Sequence, residues 1–337
     1  MSSDKKYIKG LVLLSWLLAL TTLPAKELED IKLEVGVPFS MEGVSLQSTS
    51  KPATDNFLVF PATLSLYSHG DPTAQEQYML ELINRTRENP LEEAARLGID
   101  INEGLPEGTL DGNPKPPLAF NPFLIDSSRA HSQWMLDNDI FSHVGVDDSS
   151  PFDRMVASGY TFIGSYAAAE NIAWAGTGNT NNPIDINSYT SLLHDNLFKS
   201  PGHRINILSS LVNEIGIGIK DGLFTAGTPP NRIVYNALMG TQNFARSGNS
   251  EAPFILGVVY DDLDLDGFYT PGEGISGVTV SISGGEYYAV TTTSGGYALP
   301  YIGTGYTEVY FQSEAPLQNR TFFVNCTGEN LHLNYSV

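Results

Sequence analysis

Residues Asp262 to Glu273, DLDLDGFYTPGE, place oxygen donors at the intervals used by a twelve-residue calcium loop. Asp262, Asp264 and Asp266 fall at positions one, three and five, and Glu273 at twelve. A hard cation takes six to eight oxygens, so short carboxylates on alternate residues converge only where the chain turns sharply, as Gly267 at position six allows. Phe268 offers its carbonyl at position seven, and Thr270 stands at nine, the position often bridged by water. Four acidic residues and a glycine in register specify calcium more sharply than a solvated acidic turn does. The flanks, Ile255 to Tyr260 and Ile275 to Ile282, are β-branched and read as strands, not helices. The loop is therefore EF-hand-like between strands, and the expected role of calcium is to brace the fold.

A second set of chemically capable residues lies upstream: His143 in FSHVG, Glu170 in AENIAWA and His203 in SPGHRINIL. Ser142 with His143, or Ser200 with His203, makes a hydrolytic triad only if an acid and an oxyanion hole join it. The chain has no H-E-x-x-H or G-x-S-x-G, and its single cysteine, Cys326, lies far downstream. His131 reads as a structural histidine on a helix, and Arg154 and Arg204 as hydrogen-bonding anchors beside the histidine loops or as holders of an anionic ligand. Gly216 and Gly218 permit close packing of a strand, since no phosphate-loop pattern surrounds them.

The elements that must position these residues follow from local pattern. Asp71-Pro72-Thr73 starts a helix whose apolar spacing runs to Asn89-Pro90, and a second covers Leu91 to Leu97. A third runs from Asn121 to about Asp139, a fourth from Pro183 to Leu197, and a short one follows His203. Ile215 to Ile219 and Arg232 to Thr241 read as strands turning back on each other, so helices and an antiparallel pair form an α+β domain. After a polar linker come only short strand signals, a small all-β sandwich. The expected divisions are a signal peptide over 1–25, a β-rich leader over 26–73, the mixed domain over 74–245, the linker over 246–253 and the sandwich over 254–337.

Lys5, Lys6 and Lys9 precede the apolar run Leu11 to Leu20, which is too short to span a bilayer and suits an export signal. The expected mature protein is secreted or periplasmic, with no transmembrane helix once the signal is removed. The 337 residues carry a formal net charge of −20, which disfavours nucleic acid and anionic lipid as partners and favours cations. One cysteine excludes an intramolecular disulfide, so stability must come from the core and from metal.

The pieces LINRTRENP (Leu82 to Pro90), PFDRMVASGY (Pro151 to Tyr160), AENIA (Ala169 to Ala173), SPGHRINIL (Ser200 to Leu208) and EIGIGI (Glu214 to Ile219) occur in a telling order. Together they resemble the CAP superfamily, the cysteine-rich secretory, antigen 5 and pathogenesis-related 1 proteins, in its bacterial SCP-domain branch. The resemblance implies a three-layer α-β-α sandwich and a cleft of two histidines and two glutamates that in some members holds zinc or another divalent metal. By motif, His143, Glu170 and His203 correspond, while the second glutamate has no counterpart. The helix upstream of His203 offers His194 and Asp195 instead. The expected divalent site is thus His143, Glu170 and His203 with Asp195, at ordinary zinc–nitrogen and zinc–oxygen distances. The β-sandwich resembles B-type modules of bacterial surface proteins. The expected function is a non-catalytic exported binding or scaffold module, whose cleft takes a small-molecule, lipid or peptide ligand. Two alternatives stand beside it: a metal-assisted, peptidase-like hydrolase using His143, Glu170 and His203, and a lipid or sterol carrier.

Overall fold

A computed structural model describes residues 31–45, 64–248, 253–314 and 318–337. The expected signal over 1–25, the leader residues 26–30 and 46–63, and residues 249–252 of the expected linker lie outside the described residues.

In chain order the first part comprises β1 (Ile31–Val35), β2 (Phe39–Ser45), β3 (Ser65–Leu66), α1 (Ala74–Glu88), α2 (Pro90–Arg96), β4 (Ala119–Phe120), α3 (Pro122–Asn138) and α4 (Pro151–Ala157). It continues through β5 (Gly164–Thr177), α5 (Ile186–Lys199), α6 (Pro201–Ile207), β6 (Glu214–Ala226) and β7 (Ile233–Arg246). Capping sets the helix starts. Thr73 and Glu76 form a reciprocal capping box on α1, with Thr73 Oγ1 accepting from Glu76 N at 3.2 Å and Glu76 Oε2 from Thr73 N at 2.8 Å. Asp185 accepts from the Asn187 amide at 3.1 Å, which starts α5 at Ile186 and not at the expected Pro183. α4 and β5 are additions to the expected elements. A Ser150–Asp153 capping box and Pro151 nucleate α4, and the alanine-rich run of β5 is an ordinary strand only because both its faces are buried.

The central sheet runs β1-β5-β7-β6-β4, with β2 also paired to β5. Its two faces divide the side chains of β6. Ile215 and Ile217 join Met79 and Ile83 of α1 and Leu193 and Leu197 of α5 in the main core. The other face presents Gly216 and Gly218, and α3 lies directly on them. A Cβ at Gly216 would stand 1.9 Å from the Leu124 carbonyl carbon, and one at Gly218 2.3 Å from the Arg129 nitrogen. Ser128 and Ser132 of α3 donate to the Gly216 and Gly218 carbonyls at 3.0 and 2.9 Å. Helices therefore cover both faces of the sheet, giving the expected three layers.

The second part comprises β8 (Phe254–Tyr260), β9 (Thr279–Ile282), β10 (Tyr287–Val290), β11 (Gly296–Pro300), β12 (Gly305–Gln312), β13 (Arg320–Cys326), β14 (Leu331–His332) and β15 (Tyr335–Ser336). One sheet runs β13-β12-β9-β10-β3 and the other β11-β8-β14, with β15 on β8. Ile255, Val259 and Leu299 from one meet Val280, Val309 and Phe311 from the other in one core, which is the expected sandwich. Cys326 is free and buried there.

The leader serves both parts. β1 and β2 extend the central sheet along β5, and β3 pairs parallel with β10 of the sandwich. The parts also share a polar interface. Glu81 of α1, fully buried, accepts from His332 Nε2 at 2.9 Å, Asn334 Nδ2 at 3.0 Å and Gln77 Nε2 at 2.9 Å. Asn330 donates to the carbonyls of Pro117 and Asn213 at 3.0 and 2.8 Å. Among the described residues, no helix is long and apolar enough to cross a membrane.

Candidate functional site

Glu170 stands in the middle of β5 with no solvent exposure. A carboxylate there must be compensated, and three elements converge to do so. From α4, Arg154 Nη2 donates to both Glu170 oxygens, at 2.8 and 2.7 Å. From the loop after α3, His143 Nδ1 meets Glu170 Oε1 at 2.6 Å. His131 on α3 places its Nε2 3.9 Å from the same oxygen. Burial alone raises a carboxylate pKa, but the His143 hydrogen bond and the Arg154 guanidinium outweigh it and hold Glu170 below its ordinary value.

The histidine loop is held by the same groups. Arg154 Nη1 donates to the carbonyls of His143 and Ser149 at 2.8 and 2.9 Å. His131 Nε2 lies 2.9 Å from the Ser142 carbonyl, its ring stacked on Trp134 at 5.8 Å. Burial lowers the His131 pKa to about 4, so its ring is neutral at physiological pH. His131 is thus the expected structural histidine, and it shapes the loop that carries His143.

His203 enters from the first turn of α6. Its Nδ1 lies 2.7 Å from Ser200 Oγ, whereas its Nε2 is buried without a partner among the described residues. Burial, followed by the nearby charge of His143, lowers its pKa to about 4. Beneath it, Asn171 bridges the His203 carbonyl at 3.3 Å and Gln242 Oε1 at 3.0 Å, and accepts from Asn206 at 2.9 Å.

Asp195 is not brought to these residues. It pairs with Arg96, and with Glu93 and His194 it forms a separate acidic and histidine group between α5 and the α1–α2 corner. His194 Nε2 lies 3.0 Å from Glu93 Oε1, and Arg85 and Arg96 close the network. A zinc-type site at His143, Glu170 and His203 fits the donors poorly. Both Glu170 oxygens are engaged by Arg154, His143 Nδ1 is on Glu170, and its Nε2 faces the Val37 carbonyl.

The acidic loop has the opposite character. Oxygens of Asp262, Asp264 and Glu273 lie within 4.8 Å of one another. Gly267 adopts φ +77°, and its amide and that of Asp266 donate to Asp262 at 3.1 Å each, which curls the loop. Glu273, 5 % exposed, accepts from the Leu263 and Thr270 amides at 3.0 and 2.7 Å. The Asp266 pKa is raised, by burial first and then by the like charges of Asp264 and Asp262, so these carboxylates crowd like charge. A divalent hard cation suits that donor set. The loop also touches the other part of the molecule: Arg85 lies over the Phe268 ring at 4.9 Å, and Tyr78 meets the same ring at 6.2 Å.

Arg154, expected as a hydrogen-bonding anchor beside the histidine loops, does hold the His143 carbonyl, whereas its fork onto Glu170 is legible only in the folded chain. The leader, expected only as a β-rich segment, reaches the site as well: Val37 faces His143, and Asn206 donates to the Phe39 carbonyl at 3.1 Å. A surface hollow of about 450 Å3 lies apart from the histidines, at the N-terminal end of β5 between Glu42, Tyr166, Leu211 and Arg246.

Residues 80–222 match the family described as CAP, the cysteine-rich secretory protein family. Among solved structures the chain is similar to an extracellular protein containing a SCP domain from Bacillus anthracis, at 22 % identity and a TM-score of 0.31. The similarity covers 51 % of this chain and 40 % of that one, so the chain spans well under half of its length. No curated protein matches the chain.

Proposed function

We propose that this chain, a CAP-family protein over residues 80–222, is an exported, non-catalytic binding module whose β-sandwich is braced by calcium. One observation carries the reading: the polar groups of the cleft are arranged to hold one another. Glu170 is neutralised by Arg154 and His143, and among the described residues no acid orients His203 and nothing partners its Nε2. A general base needs an orienting group and a reachable substrate proton, and a nucleophile needs such a base. A frame of fixed donors instead suits recognition.

Calcium would be held by Asp262, Asp264, Asp266 and Glu273 with the Phe268 carbonyl and, through water, Thr270. Bound there, it neutralises the crowded carboxylates. Because Phe268 packs on Tyr78 and Arg85 of α1, the same ion would stiffen the junction between the two parts.

A hydrolytic reading draws on one contact, Ser200 Oγ to His203 Nδ1 at 2.7 Å. The deciding experiment measures metal content and thermal stability of the exported protein before and after chelation, with Asp264→Ala and His203→Ala alongside, together with a peptide and ester turnover screen. One calcium per chain, lost in Asp264→Ala, with no turnover, supports the module. Turnover abolished by His203→Ala in a folded protein overturns it in favour of the hydrolase.

A further inference from the structure

We propose that residues 31–45 are a resident ligand of the cleft, and that the cleft accordingly recognises extended peptides that add as a strand to the edge of β5. The inference rests on the binding-module reading and names its ligand class.

The leader runs antiparallel along one edge of β5 almost without interruption. Ile31 to Val35 pair with Thr177 to Ala173, and Phe39 to Ser45 pair with Glu170 to Gly164. Between the two ladders the register slips by one residue, so Gly36, Val37 and Pro38 form a bulge opposite Asn171 and Ile172. The bulge falls on the site. Gly36 N donates to the Ile172 carbonyl at 2.9 Å, the Val37 carbonyl faces His143 Nε2, and the Phe39 carbonyl accepts from Asn206 Nδ2 at 3.1 Å. The leader packs closely at two glycines: a Cβ at Gly36 would stand 2.5 Å from the Ile172 side chain at Cγ1, and one at Gly202 would stand 2.3 Å from Pro38 Cγ.

The leader is held the way a peptide ligand is held. None of residues 31–43 is fully buried, and Val37 is 77 % exposed. Main-chain hydrogen bonds supply the attachment, while Ile31, Leu33 and Val35 rest partly buried on the main core. Backbone pairing with alternate side chains seated below is how strand addition recognises peptides. Removing such a strand exposes the edge of β5 and leaves β7, its other neighbour, in place. A covalently attached ligand enjoys an effective concentration of order millimolar, so in cis it outcompetes free peptides of moderate affinity.

The test uses the full chain and a fluorescent peptide of residues 31–45, IKLEVGVPFSMEGVS. Pro38→Cys combined with Gly202→Cys should cross-link on oxidation, because a Cβ at Gly202 lies 3.4 Å from Pro38 Cβ, within disulfide reach. The native Cys326 is buried and does not compete. Fluorescence anisotropy should show no peptide binding to the cross-linked protein and weak binding after reduction. Gly36→Val, which unseats the leader, should bind the peptide about 10- to 100-fold more tightly than the unmodified chain, as expected if the cleft is free about 1 to 10 % of the time. Failure of the folded double variant to cross-link overturns the proposal, because the leader is then not seated. Equal peptide binding by cross-linked and reduced protein also overturns it, because the peptide then bypasses the cleft. Either failure with calcium content intact leaves the binding-module reading standing. Turnover lost with His203→Ala removes that reading while the cross-link still forms.

Discussion

Glu81 and His332 join the first helix to the last strands: Glu81 Oε2, wholly buried, accepts from His332 Nε2 at 2.9 Å across 251 positions of sequence. Gln77 and Asn334 also donate to Glu81, at Oε1 and Oε2. Two parts that look separable in sequence are thereby locked by a charged, hydrogen-bonded contact. Removing one partner leaves a buried charge uncompensated, so Glu81→Ala should cost about 3–5 kcal/mol. Urea unfolding checks this, and a loss under about 1 kcal/mol would show that the contact is not formed in solution.

The same pair gives a pH dependence with a definite sign. Burial pushes the Glu81 pKa up, but His332 and the hydrogen bonds outweigh it and hold it low. Its contribution is therefore present above the ordinary carboxylate value and lost as pH falls through the lower folded one. Burial pushes His332 down, but Glu81 more than offsets this and raises it. Its contribution is present below the ordinary value and lost as pH rises through the higher folded one. The pair should stabilise most between about pH 4.3 and 6.5. Glu81→Gln should lower stability within that window and flatten the profile on either side of it; an unchanged profile counts against the linkage.

At the acidic loop, calcium at 100 times its dissociation constant should stabilise the chain by about 2.7 kcal/mol. Chelation or Asp264→Ala should remove this gain, and amide exchange should quicken at Phe268 and at the facing turn of α1 around Tyr78 and Arg85. A calcium-independent melting temperature would dismiss the site.

Within the cleft, Arg154→Leu should destabilise by about 3–5 kcal/mol, because Glu170 keeps a buried charge without its guanidinium partner. Arg154→Lys should recover only part, since a point charge lacks the planar fork that also holds the His143 and Ser149 carbonyls. Chemical denaturation distinguishes the two variants, and equal stability of both would argue against the network.

Gly216→Ala tests the helix–sheet contact. The added methyl would stand 1.9 Å from the α3 backbone, which cannot give as a side chain tip can. A loss of about 1–3 kcal/mol or more is expected, whereas Gly222→Ala, whose Cβ would meet Leu136 Cδ1 at 3.4 Å, should be far milder. Thermal melts of the two variants provide the comparison.

Local chemistry determined much of this protein from sequence. The Thr73 start of α1, the Pro122 start of α3, the strands of the sandwich and the spacing of Asp262, Asp264 and Glu273 each depend on a few neighbouring residues, and local patterns report such features. The segments around His143, Glu170 and His203 were legible as a group through their order. Tertiary structure alone decided what those residues meet. Arg154 reaches Glu170 because α4 packs beside β5, Asp195 turns to Arg96 because α5 faces the α1–α2 corner, and the leader strand crosses His143 because it pairs with the edge of β5 opposite β7. Strand pairing and buried charge compensation join residues tens to hundreds of positions apart. No short-range pattern encodes them, since hydrogen bonding and burial are satisfied by whichever segment the folded chain brings near.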